Sequence, residues 1–219
     1  MKKNLTEIVF ILDKSGSMSG LENDTIGGFN SMLVRQKKEK GEAIISTVLF
    51  DNDIEFLHDR VDIDDVEKLT DRDYYVGGST ALLDAIGTSV HHIEKLQRKL
   101  DEDERPEKTL FIITTDGMEN ASREYSYSEI KKLVSQKQKK DDWEFLFLGA
   151  NMDAISAAEN IGIRADRSVR YKCDSKGTAV NFEALGKAVS KYRACNMACR
   201  EEALADWDAE IKQDYKKRG

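Results

Sequence analysis

Proline occurs once in this 219-residue sequence, at Pro106, and cysteine and histidine occur only three times each. No proline-, glycine- or serine-rich stretch marks a linker, and a chain of this length can close one sizeable core. The reading is one domain, residues 1–192, followed by a helical extension, 193–219. An odd number of cysteines without a secretion signal argues against a disulfide framework. Cys195 and Cys199 are four residues apart on a helical pattern, yet no further histidine or cysteine nearby completes a zinc tetrahedron. His91 and His92 are sequence neighbours on a helix and point to different sides, and His58 falls in an edge strand. None stands in a pattern with a serine or cysteine that would suggest a nucleophilic triad.

Long apolar runs are also missing. Residues 8–12 (Ile-Val-Phe-Ile-Leu) form a run of about five, far short of the ~20 residues that span a bilayer. The expectation is a cytoplasmic protein. The net charge of −7 leaves no basic stripe to neutralise phosphates, which excludes a nucleic-acid surface.

What is present is an alternation of two periodicities. Residues 8–12 read as a buried strand, and Ile26, Phe29, Met32 and Leu33 then fall at helical spacing. Residues 43–50 and 54–61 are strand-like runs joined by Asp51-Asn52-Asp53, the chemistry of a hairpin, so an antiparallel edge pair is expected. A long amphipathic helix follows over 80–100, and residues 109–114 form a continuous apolar strand of the parallel, doubly covered type. Helix over 128–140, strand over 144–148, a short helix over 153–161, strand over 168–173 and helix over 181–192 complete the pattern. The last helix runs on, whole or broken, through Ala203, Trp207 and Ile211. This succession predicts an α/β fold: a doubly wound, mostly parallel sheet with one antiparallel edge strand and helices on both faces.

Asp13 stands at the end of the first strand, at the sheet edge where ligands bind in such folds. It opens Asp13-Lys14-Ser15-Gly16-Ser17, an acid and two hydroxyls on one turn. Gly77-Gly78-Ser79-Thr80 and Thr114-Thr115-Asp116-Gly117 sit where a helix start and a strand end bring them to the same edge. Thr80 and Asp116 thus join Asp13, Ser15 and Ser17 in an oxygen-only set. Such a set suits Mg²⁺ or Mn²⁺ rather than a softer ion. Mg²⁺ held by hydroxyls and by carboxylates acting partly through water is underneutralised and seeks an outside carboxylate. Tyr74, Tyr75, Met118, Arg123, Tyr125 and Tyr127 cluster on the loops around Thr80 and Asp116, and tyrosine and arginine are favoured at binding hot spots. They are the candidate rim, with Asn151, Asp153, Lys176 and Thr178 as further candidates.

The pattern Asp13-x-Ser15-x-Ser17, Thr80, Asp116 resembles the metal-ion-dependent adhesion site of von Willebrand factor type A (vWA) domains, over roughly residues 5–192. Compact intracellular bacterial or phage members look most similar. The resemblance implies a six-stranded, Rossmann-like sheet, Ser15, Ser17 and Thr80 on the metal through hydroxyls, and Asp13 and Asp116 oriented largely through water. It also implies a non-enzymatic role, binding a protein that presents Asp or Glu, with ATPases and stress-response components as candidate partners. The same five-residue loop also resembles that of haloacid dehalogenase-type phosphotransferases, in which Asp13 would be the nucleophile. A third reading places binding on the C-terminal helix with Trp207 and Tyr215.

Overall fold

The computed structural model describes residues 1–150 and 153–218. Six strands form one sheet in the order β3-β2-β1-β4-β5-β6: β1 (Lys2–Asp13), β2 (Glu42–Phe50), β3 (Ile54–Asp62), β4 (Pro106–Thr115), β5 (Glu144–Ala150) and β6 (Ser168–Tyr171). Only β3 runs antiparallel, returning from β2 through residues 51–53; all other pairings are parallel. The helices are α1 (Glu22–Gln36), α2 (Leu82–Arg98), α3 (Tyr127–Lys140), α4 (Ala154–Asn160), α5 (Ser175–Ala194), α6 (Arg200–Ala203) and α7 (Ala209–Lys217).

Side-chain alternation along the central strands divides the core in two. Ile8, Phe10 and Leu12 of β1 and Leu110 and Ile112 of β4 pack with Phe29 and Met32 of α1 and Leu185 and Val189 of α5. Val9, Ile11, Phe111 and Ile113 face the other way, against Ile86 and Val90 of α2 and Ile130 and Val134 of α3. Both faces are therefore covered, as the unbroken apolar strands require. Gly28 lets α1 and α5 approach closely: a Cβ there would lie 2.2 Å from Phe182 Cδ2 and 2.7 Å from Cγ. Gly28→Ala is expected to destabilise the fold by about 1–3 kcal/mol through overpacking. Urea unfolding measures this, and an unchanged midpoint would mean the two helices separate freely.

Three differences from the sequence expectation have physical causes. Strand β1 begins at Lys2 because its polar residues are satisfied: buried Glu7 accepts from Arg60 Nε at 2.8 Å and from Gln97 Nε2 at 2.7 Å. Strand β4 begins at Pro106 rather than at residue 109, because Pro106 already pairs with Lys2 of β1. Helix α5 starts at Ser175, capped by the Asp174 carboxylate on Gly177 N at 2.8 Å, six residues before the apolar spacing becomes visible at Asn181.

Residues beyond α5 break into short helices and fold back on the same core, where Leu204, Trp207 and Ile211 are buried. Trp207 Nε1 donates to Asp166 O at 3.1 Å. Arg218 pairs with Asp174 and Asp214, while Arg170 and Lys172 lie over the Tyr215 ring at 5.3 and 4.9 Å. Lys108, 2% exposed, donates from Nζ to the carbonyls of Tyr192, Arg193 and Cys195 at 2.7, 2.9 and 2.6 Å. A buried ammonium thus closes the C-terminal end of α5, where a cation is favoured. Among the described residues, no helix is long and apolar enough to cross a membrane.

Candidate metal centre

Strand order reverses between β1 and β4: from β1 the chain passes to β2 on one side, and later to β4 on the other. Crevices at the carboxyl ends of such strands are the usual ligand sites of open α/β sheets. Asp13 ends β1 and Thr115 ends β4, so both carboxylates, Asp13 and Asp116, lie at this crevice.

The three loops converge through their hydroxyls. Thr80 Oγ1 donates to Ser15 Oγ at 3.1 Å, Ser15 Oγ and Ser17 Oγ are 3.1 Å apart, and Ser17 Oγ donates to Asp116 Oδ1 at 2.5 Å. Asp13 is joined to the set by Ser15 N, which donates to its Oδ1 at 2.7 Å, and by Thr115 Oγ1, which donates to its Oδ2 at 2.5 Å. Asp13, Ser15, Thr80 and Asp116 are buried and Ser17 is exposed. Side chains far apart in sequence thus form one cluster of oxygens, exposed at Ser17.

Backbone contacts hold the loops in register. Gly16 N donates to Gly78 O at 3.1 Å and Gly77 N to Lys14 O at 2.9 Å. Gly78 has φ +70°, and a Cβ there would lie 2.4 Å from Asn52 Oδ1, so only glycine suits this turn. Gly117 matters for space: a Cβ would lie 2.8 Å from Thr80 Oγ1 and 3.1 Å from Ser17 Oγ. Its absence leaves a cradle where two hydroxyls and the Asp116 carboxylate meet. Thr80 is further fixed by Asn120, whose Oδ1 accepts from Thr80 N at 2.9 Å while its own N–H donates to Thr80 O at 3.1 Å.

Burial pushes the Asp13 carboxyl above its ordinary value; the hydrogen bonds from Thr115 and Ser15 act against this, and the nearby Asp116 charge adds to the rise. Two buried carboxylates at one crevice repel each other unless a proton or cation stands between them. The donor set fits a hard divalent ion: two carboxylates and three hydroxyls, all oxygen. No group of three or more His, Cys, Asp or Glu placed to hold a metal occurs among the described residues, so any such site must rest on hydroxyls as well.

The rim residues separate into two groups. Tyr75, Met118 and Tyr127 are 58%, 70% and 45% exposed, and Arg123 is exposed too. Lys14 Nζ sits 4.7 Å from the Tyr75 ring centre and 3.2 Å from Glu55 Oε2, steadying that tyrosine at the surface. Tyr74 is different. It is 1% exposed and its hydroxyl donates to Asp13 O at 2.5 Å, so it supports the Asp13 loop from beneath and offers no surface at the expected rim. Half-buried Tyr125 packs on Gly87 and stacks on His91 at 6.0 Å. Asp153 caps α4 through Ser156 N at 3.2 Å, Lys176 pairs with Asp214 at 3.5 Å, and Thr178 is buried in α5. Asn151 lies outside the described residues.

Three contributors were not singled out from sequence. Asp84 accepts from the backbone N–H groups of Arg123, Glu124 and Tyr125 at 2.8, 3.0 and 3.0 Å, which shapes the rim loop. Glu119 accepts from Leu83 N at 2.9 Å, covering the start of α2 where a carboxylate is favoured. Cys173 Sγ donates to Asp116 Oδ2 at 3.3 Å. A carboxylate at the first turn of an amphipathic helix was the visible signal for Asp84; the other two carry none.

No family model matches the sequence, and no curated protein does. Solved structures do match. A von Willebrand factor type A structure from Catenulispora acidiphila superposes with a TM-score of 0.53 at 12% identity, covering 83% of this chain and 41% of that one. The vWF domain of the type V pili tip protein Mfa5 from Porphyromonas gingivalis gives 0.58 at 9% identity, over 84% of this chain and 94% of that one. Proximal thread matrix protein 1 from the mussel byssus, in a structure with a zinc-occupied MIDAS motif, gives 0.56 at 17% identity, over 84% and 46%. The chain therefore has the von Willebrand factor type A fold, and spans less than half the length of the mussel and Catenulispora chains.

Proposed function

We propose that this protein is a divalent-metal-dependent protein-binding module of the vWA type, working in the cytoplasm without catalysis. The observation that carries this reading is the hydroxyl chain from Thr80 through Ser15 and Ser17 to Asp116, joined to Asp13 through Ser15 N, with room left beside Thr80 and Ser17 by the missing Cβ of Gly117. Ser15, Ser17 and Thr80 would hold the ion through hydroxyls, with Asp13 and Asp116 supplying charge. Mg²⁺ or Mn²⁺ there would offer a Lewis-acidic position to an outside carboxylate, so the partner presents Asp or Glu. Tyr75, Met118, Arg123 and Tyr127 supply exposed contact area around that point. A partner from an ATPase or a stress-response system accords with the resemblance to compact vWA domains. The zinc-occupied site of the mussel protein supports a divalent ion in this class of site.

The phosphotransferase reading asks Asp13 to attack a phosphate. Here Ser15 N engages one carboxylate oxygen and Thr115 Oγ1 the other, an arrangement suited to a fixed supporting group. Affinity capture with Mg²⁺, with EDTA and with Asp13→Ala tests the proposal: the partner should be recovered only in the first. A partner retained in all three would overturn it, and metal-dependent phosphate release abolished by Asp13→Asn would favour the phosphotransferase.

Metal binding should also be linked to pH. Because the folded state raises the Asp13 value, its neutral form contributes stability that is present below the unfolded value and lost as pH rises through the folded one. A divalent ion binds the ionised form and reverses that loss. Scanning calorimetry should show a larger Mg²⁺-induced rise in Tm at about pH 7.5 than at about pH 4.5. Equal rises at both would remove Asp13 from the site.

A further inference from the structure

Behind the metal loops, four buried polar atoms have no protein partner: Thr25 Oγ1 on α1, Thr114 Oγ1 on β4, and Thr178 Oγ1 and Asn181 Oδ1 on α5. Their residues are 3%, 7%, 4% and 2% exposed. The four residues line one small cavity, whose remaining walls are Leu12, Asp13, Met18, Tyr171 and Phe182. Three threonines and an asparagine from three separate elements thus border a single space, each with a buried oxygen that no protein group meets. Buried polar groups are almost always satisfied.

We infer that this cavity is a binding site for one water molecule, which joins α5 to α1 and to the end of β4. Size sets the number. The cavity volume is about 10 Å³, at the lower bound of the roughly 10–15 Å³ needed to hold one water. Chemistry sets the identity. Asn181 Oδ1 can only accept, whereas each threonine hydroxyl can do either. One water donates to Asn181, donates to one hydroxyl and accepts from the others, within the two to four bonds of a typical interior water. A cation is disfavoured because all four facing groups are neutral and Asp13 already accepts from Ser15 and Thr115. Thr25 Oγ1 also adjoins the Tyr74 hydroxyl without meeting hydrogen-bond geometry, so it stands at the margin of the site, and Thr114, Thr178 and Asn181 form its centre.

The site gives the first turns of α5 a polar attachment to β4, two residues before Asp116, in addition to the bond by which Ser175 Oγ donates to Asp24 Oδ2 of α1 at 2.6 Å.

A high-resolution crystal structure of the whole chain should show a single density peak about 2.5–3.0 Å from Thr114 Oγ1, Thr178 Oγ1 and Asn181 Oδ1. Oxygen-17 relaxation dispersion in solution should count one fewer long-lived internal water in Asn181→Leu than in the native protein, and no change in Thr178→Ser, which keeps a hydroxyl. A cavity without density would overturn the inference, as would contacts shorter than hydrogen bonds, which mark a cation. An unchanged water count in Asn181→Leu would do the same. Should that variant not fold, the native crystal structure decides alone.

Discussion

Asp13→Ala should weaken Mg²⁺ or Mn²⁺ binding by about 100-fold or more, equivalent to ~2.7 kcal/mol, as read by calorimetric titration. The size follows from two losses at once. One of the two negative charges at the crevice disappears, and Ser15 loses the carboxylate that accepts its N–H at 2.7 Å. Ser15 is the middle of the hydroxyl chain, bonded towards both Thr80 and Ser17, so its displacement disturbs the whole donor set. Asp13→Asn separates the two effects, keeping an acceptor for Ser15 N while removing the charge. It should fall between the native protein and the alanine variant. Native-like titration by Asp13→Ala would show that the ion, if one binds, sits elsewhere.

Lys108→Met is expected to cost about 3–5 kcal/mol of stability, because it leaves three carbonyl groups without their donor in a buried place. Methionine keeps most of the volume, so the loss reports hydrogen bonding rather than a cavity. The carbonyls belong to Tyr192, Arg193 and Cys195, at the point where α5 gives way to the C-terminal segment. Urea unfolding should therefore show a lowered midpoint, and hydrogen exchange should quicken most across residues 193–217. A loss of stability below about 1 kcal/mol would mean that the carbonyls find other donors. The same geometry affects any test of the C-terminal helix as a binding element. Deleting it removes Leu204, Trp207 and Ile211 from the core, so single substitutions at Tyr215 are the cleaner probe.

Much of the fold was legible because it is written in periodicity. Unbroken apolar runs at β1, β4 and β5 require two covered faces, and the alternation with amphipathic helices leaves few arrangements. Asp51-Asn52-Asp53 gave the antiparallel turn, observed between β2 and β3. What was not legible depends on partners distant in sequence. Glu7 extends β1 only because Arg60 and Gln97 meet it, and Lys108 is a core residue only because a helix ends above it. Residues 175–180 carry no apolar helical spacing and become the first turns of α5 through the Asp174 cap. At the candidate site, the positions of the two acids and three hydroxyls followed from strand ends and helix starts. The burial of Tyr74 did not, since an aromatic next to an exposed aromatic gives no sign of which one turns inward.

The polarity of β1 has a practical result for handling the protein. Its eleven steps from Lys2 to Asp13 span ~36 Å at about 3.3 Å each, so the amino end and the open crevice lie at opposite poles. A bead or fluorophore joined at Met1 leaves the crevice facing bulk solvent. One joined beyond Arg218 sits against Asp174, beside the loops whose occupancy it is meant to report, and would crowd an incoming partner.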